Sequence, residues 1–174
     1  LVESVDDAER ISPASGTRLA YITQTTLSVD ETREIVEVLR RRFPAIEGPA
    51  KEDICYATSN RQWAVKELLA EVDLLLVLGS PNSSNSQRLV EVARTAGTAA
   101  HLVEDASQID DAWLDRVSVV GVTSGASAPE RLVRGVCKWF RARGVTDIAE
   151  FRSVYEDVVF RLPVELRRAE RSAA

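Results

Sequence analysis

The stretch DLLLVLGSPNSSNSQRL, residues 73–89, decides the reading of the fold. Five apolar residues in a row, Leu74 to Leu78, stop at Gly79. The run is too short for a core helix and does not alternate, so it suits a strand buried on both faces, as in a parallel sheet. Between Gly79 and Arg88 every residue except Pro81 is Ser, Asn or Gln, and a helical pattern then resumes. A turn so rich in hydroxyls and amides, with no charge before Arg88, needs a reason.

Working outward, the same unit of apolar strand, polar turn and amphipathic helix recurs. RLAYI leads into TQTTLS and a helix over 30–42, for which Ser28 and Glu31 form a capping box. DIC, residues 53–55, leads into YATS and a helix from 60 to about 70, with Ser59 and Gln62 in the same relation. VSVVGV leads into TSGAS and a helix whose first position is Pro129. Further strands are expected at 99–103 and 158–162. The alternation predicts an α/β protein with parallel sheets flanked by helices.

In such sheets ligands bind beyond the carboxyl ends of the strands, where all four polar turns would lie. Helix amino ends add unpaired N–H groups and a positive dipole end there. Hydroxyls, side-chain amides and main-chain N–H groups could therefore wrap a multiply charged anion such as a diphosphate without lysine. A hydrogen bond to a charged acceptor is worth about 1.5–3 kcal/mol. For each turn taken singly, the alternative is that Ser and Asn only cap a helix. Neither a P-loop nor Gly-x-Gly-x-x-Gly is present, so a nucleotide is not specifically indicated.

The bulk properties narrow the class. The 174 residues are 45% hydrophobic, enough for one good-sized core or two small ones. A net charge of −5 with scattered basic side chains argues against nucleic acid as a partner. The longest apolar run is far shorter than a membrane span, and the expectation is a soluble, cytoplasmic bacterial protein with no membrane partner. The chain starts at Leu1 and contains no Met, so we expect part of a longer protein.

Two cysteines in such a chain read as thiols or ligands rather than a disulfide. Cys137 falls on a helical stripe with Leu132, Val133, Val136 and Phe140 and is expected to pack in a core. Cys55 precedes a polar turn, a setting that packing does not explain. His101, the only histidine, sits in a strand-like segment away from the turns and is expected to be half-buried or at the surface. The acidic residues of HLVEDASQIDDAW read as a solvated loop.

Four motifs, TQTTLSVDET, FPAIEGPAKEDICYATSNRQ, LGSPNSSNSQRL and VGVTSGASAPERLV, in this order and spacing, resemble the carboxyl-terminal part of the LytB/IspH family of 4-hydroxy-3-methylbut-2-enyl diphosphate reductases. The resemblance runs from LVES to VVFRLPVELR. It implies the last part of a pseudo-threefold, three-domain iron–sulfur enzyme. Residues 1–52 would be a remnant of the middle α/β domain, 53–145 the carboxyl-terminal α/β domain, and 146–174 a tail with one strand folding back. The family holds a [4Fe-4S] cluster through three cysteines, and Cys55 matches the third; three thiolates leave one iron open for the substrate alcohol. The family's diphosphate-binding positions fall on Thr25, Ser83, Ser84, Asn85 and Ser127, with Thr26 and Thr58 lining the same region.

The reaction implied removes the allylic hydroxyl with two electrons and protons, giving isopentenyl and dimethylallyl diphosphates in the methylerythritol phosphate pathway. Reduced ferredoxin or flavodoxin is the electron donor expected from the family. The family's other two cysteines, its substrate-binding histidines and its proton-delivering glutamate belong to an amino-terminal half that this sequence does not contain. Cys137 and His101 match none of them, and Ser124 stands where alanine is usual. The chain alone is therefore expected to hold no stable cluster and to be inactive. Two competing readings are a phosphosugar-binding module of the sugar-isomerase type, which leaves DICYAT and TQTT without a role, and a non-catalytic remnant.

Overall fold

The computed structural model describes residues 1–51 and 53–153. In chain order the elements are α1 (Val5–Arg10), α2 (Val29–Arg42), α3 (Tyr56–Leu68), β1 (Leu74–Leu78), α4 (Ser84–Thr95), β2 (Ala99–Val103), β3 (Val120–Ser124) and α5 (Glu130–Ala142). Two short 3-10 turns, Ala106–Gln108 and Asp111–Leu114, lie between β2 and β3. The three strands form one parallel sheet in the order β2-β1-β3, with Leu76 opposite His101 on one side and Val122 on the other.

All five residues of β1 are buried, because the strand is central and covered on both faces. Successive side chains of a strand point to opposite faces. Leu75 and Val77 pack with Val65 of α3 and Leu89, Val90 and Ala93 of α4. Leu74, Leu76 and Leu78 pack with Val103, Ile109 and Val136 on the α5 side. Each such side chain contributes about 1.5–3 kcal/mol by leaving water, so the apolar run has no position free to be polar. A separate small core joins Ala8 of α1 to Val38 and Leu39 of α2.

Several expectations are corrected. RLAYI forms no strand: it makes one parallel bridge, Ala20 to Glu47, with Tyr21 donating to the Glu47 carbonyl and Glu47 to that of Leu19. Ile22 is 87% exposed, so little apolar burial favours a longer pairing. DIC is not a strand either. Its polar groups are bonded to the TQTT loop, through Asp53 accepting from the Thr23 N–H at 2.8 Å and Cys55 N–H donating to the Thr25 carbonyl at 3.1 Å. Helix α3 starts at Tyr56, four residues early, which places Ser59 inside it and leaves no Ser59–Gln62 capping box. The last strand sits three residues later than expected at its start, since the N–H groups of Ser118 and Val119 are taken by the Asp73 carboxylate, each at 2.9 Å.

Other expectations differ little. Ser28 caps α2 by accepting from the Glu31 N–H, and Pro129 stands at the N-cap of α5, one position before the one expected. The acidic side chains after β2 are exposed, as expected of a solvated loop, and the segment is ordered by Asp105 and Asp110, which cap the two 3-10 turns, with Ile109 between them buried. In α5 Leu132, Val133, Val136 and Phe140 pack on the sheet together with Trp139, while Cys137 is half-buried. Residues 146–153 carry no helix or strand, and the strand expected at 158–162 lies outside the described residues.

Candidate functional site

The polar turns after β1 and β3 meet at the carboxyl edge of the sheet. Between them lies a cavity of about 300 Å³ whose lining includes Ser80, Ser83, Ser86, Ser127, Pro129 and Glu104. A larger hollow of about 460 Å³ lies at residues 17–19 and 42–47. Its charged groups are already partnered: Arg18 with Glu47, and Arg42 with the carbonyls of Ala8 and Ile11. Only the smaller cavity gathers convergent hydroxyls.

Ser83 is the N-cap of α4, its Oγ accepting from the Ser86 N–H at 3.3 Å. Ser86 is buried and also donates its own hydroxyl to Ser83 Oγ at 3.0 Å. It can lie there because a glycine directly follows each of the two flanking strands. A Cβ on Gly79 would stand 2.1 Å from Ser86 Oγ, and one on Gly125 would stand 2.2 Å from it. Ser127, which lines the cavity, is exposed, and so is Ser84 beside Ser83.

Asn85 is the anomaly. It is 8% exposed, and neither its Nδ2 nor its Oδ1 has a hydrogen-bond partner among the described residues. A buried polar group left unpaired costs about 1–3 kcal/mol, and native structures keep few of them without a ligand, water or ion to satisfy them.

Cys55 is exposed at the N-terminus of α3. That helix ties the parts of the edge together through adjacent side chains. Arg61 donates to the Ser124 carbonyl at the end of β3, at 3.0 Å. Gln62, buried, clamps the loop before α2 at two points: Nε2 donates to the Leu27 carbonyl at 2.9 Å, and Oε1 accepts from the Val29 N–H at 3.0 Å. Lys66 pairs with Asp30, and Arg88 of α4 pairs with Glu31 at 3.1 Å, fixing the first turn of α2 against α3 and α4.

The cavity therefore holds Ser83 and Ser127 together, with Asn85 buried in the same turn as Ser83. Thr25 stands exposed on the loop bonded to Cys55, and Thr26 beside it is half-buried. Thr58 is buried within α3. His101 is half-buried in β2 and stacked on Trp113, ring centroids 3.7 Å apart. Sequence reasoning missed Ser86, Arg61, Gln62 and Glu104. For Ser86 a signal existed: glycines directly after two adjacent parallel strands leave room for one inserted side chain.

As a metal site, Cys55 fits as a donor of one thiolate, being solvent-facing and beside the polar loops. Among the described residues no three His, Cys, Asp or Glu side chains gather to hold a metal ion. The chain thus fits an iron–sulfur group as one contributor to its ligand set.

Comparison with known proteins shows the family of the chain. The family described as LytB protein matches residues 1–141. The 4-hydroxy-3-methylbut-2-enyl diphosphate reductase of Acidothermus cellulolyticus is 56% identical over 169 residues, covering 97% of this chain and 50% of that protein. The enzyme of the same name from Edwardsiella ictaluri is 54% identical over 167 residues, covering 96% of this chain and 53% of its own. Among solved structures, the E-1-hydroxy-2-methyl-but-2-enyl-4-diphosphate reductase from Plasmodium falciparum superposes with a TM-score of 0.83 at 32% identity, covering 99% of this chain and 55% of that one. The chain spans about half the length of the curated relatives it matches.

Proposed function

The chain belongs to the LytB family, and on that premise we propose that it supplies the diphosphate cradle and one cluster thiolate of a reductase acting on 4-hydroxy-3-methylbut-2-enyl diphosphate. The observation that carries this reading is Asn85, whose buried amide has no partner among the described residues and lies in the same helix turn as Ser83, which lines the cavity with Ser127. An anion there would accept from the Asn85 Nδ2, the Ser83 and Ser127 hydroxyls, and the free N–H groups opening α4. Ser84, exposed next to Ser83, would add a donor, and Thr25 would face the substrate from the loop that Cys55 and Gln62 hold.

Cys55 would hold one iron of a [4Fe-4S] cluster, which when bound supplies electrons and Lewis acidity. The protein's share is to fix the diphosphate end so that the allylic hydroxyl meets the reducing centre. The overall change consumes two electrons and two protons, breaks the carbon–oxygen bond, and yields water with isopentenyl or dimethylallyl diphosphate. Reduced ferredoxin or flavodoxin would deliver the electrons. Residues 1–52 would belong with the enzyme's middle domain and 53–145 would form its last. Among the described residues no helix is long and apolar enough to cross a membrane.

The test is titration of inorganic pyrophosphate into the chain. Ser83→Ala should bind it roughly ten- to a hundredfold more weakly, the loss of one hydrogen bond to a charged acceptor. Equal affinity of the variant and the parent chain would sink the cradle.

A further inference from the structure

We propose that Ser86 is a positioning residue of this cradle, which makes Ser83 an obligate donor to the bound anion. The inference rests on the cradle reading above and deepens it. A serine hydroxyl has one proton to give and two lone pairs with which to accept. Ser83 Oγ already accepts twice from Ser86, from its N–H at 3.3 Å and from its hydroxyl at 3.0 Å. With both lone pairs engaged, what remains to Ser83 is its proton, and Ser83 lines the cavity. An anion can only accept hydrogen bonds, so a serine held as a donor is prepared for it, and no hydroxyl rotation has to be lost on binding.

Ser86 is itself held without freedom. It is 1% exposed, wedged between the glycines that directly follow β1 and β3. Those backbones are pinned in the sheet, as Gly79 N–H donates to the Val103 carbonyl at 3.0 Å and Gly125 N–H to that of Leu78 at 2.8 Å. A side chain so confined keeps one orientation, and its hydroxyl keeps pointing at Ser83. The same residue thereby locks the ends of two strands to the first turn of α4.

The test is calorimetric titration of inorganic pyrophosphate into the full 174-residue chain, with melting temperature measured on every variant. Ser86→Ala removes the directing hydroxyl. Ser86→Cys fills the same wedge but offers only a weak S–H donor, so it separates orientation from packing and serves if the alanine variant does not fold. Each should weaken binding roughly five- to tenfold, the cysteine variant melting lower than the parent because its larger sulfur crowds the wedge. Because Ser86 acts through Ser83, Ser83→Ala combined with either should bind no more than about twofold worse than Ser83→Ala alone. Parent-like affinity in both Ser86 variants, or losses that multiply in the double variant, would overturn the assignment while leaving the cradle standing. Parent-like affinity in Ser83→Ala would instead remove the cradle and this inference with it.

Discussion

Substituting Gly125 by alanine puts one methyl group at the tightest point of the edge. Its Cβ would lie 2.2 Å from Ser86 Oγ, 3.4 Å from Ser86 Cβ and 3.6 Å from Asn85 Nδ2. Backbone conformation is not the obstacle, since Gly125 is not among the residues with positive φ. Escape is blocked as well, by the bond from its N–H to the Leu78 carbonyl and by Gly79 on the far side of the serine. Overpacking of this kind costs about 1–3 kcal/mol, and with both neighbours pinned the upper half of that range, about 2–3 kcal/mol, applies. Ser86→Ala alone forfeits one hydroxyl hydrogen bond, about 0.5–1.5 kcal/mol. If the two changes were independent, the double variant would lose about 2.5–4.5 kcal/mol. The geometry says otherwise: without the hydroxyl, the new methyl meets the Ser86 Cβ at 3.4 Å and Asn85 Nδ2 at 3.6 Å, both ordinary contacts, and fills the space vacated. The double variant should lose only about 1–2 kcal/mol, a coupling of about 2 kcal/mol. Followed by circular dichroism, Gly125→Ala should melt about 4–12 °C below the parent and the double variant above Gly125→Ala, at about 2–4 °C per kcal/mol for a chain of this size. A double variant that melts below Gly125→Ala would refute the wedge.

Other consequences can be checked alongside it. Gln62→Leu leaves the Val29 N–H and the Leu27 carbonyl without their partners, at about 1–3 kcal/mol for each buried group left unpaired; hydrogen exchange at the Val29 amide should quicken by about tenfold or more. Burial, then the nearby Arg94, holds the His101 pKa below its ordinary 6.5, with Asp110 opposing them. The folded state thus binds this proton less readily than the unfolded one, so His101 costs no stability above about pH 6.5 and stability falls as pH drops below that value. His101→Phe, which keeps a ring against Trp113, should flatten the decline in melting temperature between about pH 6.5 and 5; an unchanged slope would count against this assignment.

How much of this was readable from the residues depends on what each stretch had to satisfy. β1 was plain because burial on both faces admits only apolar side chains, and α2 because Ser28 and the charged outer face mark its start and side. The segments at 18–22 and 53–55 misled because their apolar residues look like strand residues, while their backbone partners are a single bridge and the TQTT loop. Strand pairing is a long-range property, invisible in a local pattern. Ser59 and Gln62 have capping-box spacing, yet Gln62 is spent on a loop 33 to 35 residues earlier in the chain. At the edge, Ser83 and Ser127 were expected together and line one cavity. Ser86 was passed over because a fourth serine in a polar turn attracts no notice until the two glycines are seen to make room for it.

The cavity's one charged lining residue among the described residues then becomes informative. Glu104, just beyond β2, lines it, its Oε2 accepting from Gln108 Nε2 at 3.3 Å. A fixed negative charge beside a site proposed for a diphosphate works against occupancy, and neither lysine nor arginine lines the cavity to offset it. The donors described above must therefore hold the anion by short-range dipoles, which salt screens far less than it screens separated charges. If that is so, Glu104→Gln should tighten pyrophosphate binding, with the gain shrinking as ionic strength rises, whereas Ser83→Ala should weaken it by a factor nearly independent of salt. Looser binding by Glu104→Gln would mean that the carboxylate helps to seat the anion, through a bridging cation or a proton of its own, and that neutral dipoles alone do not account for the cradle.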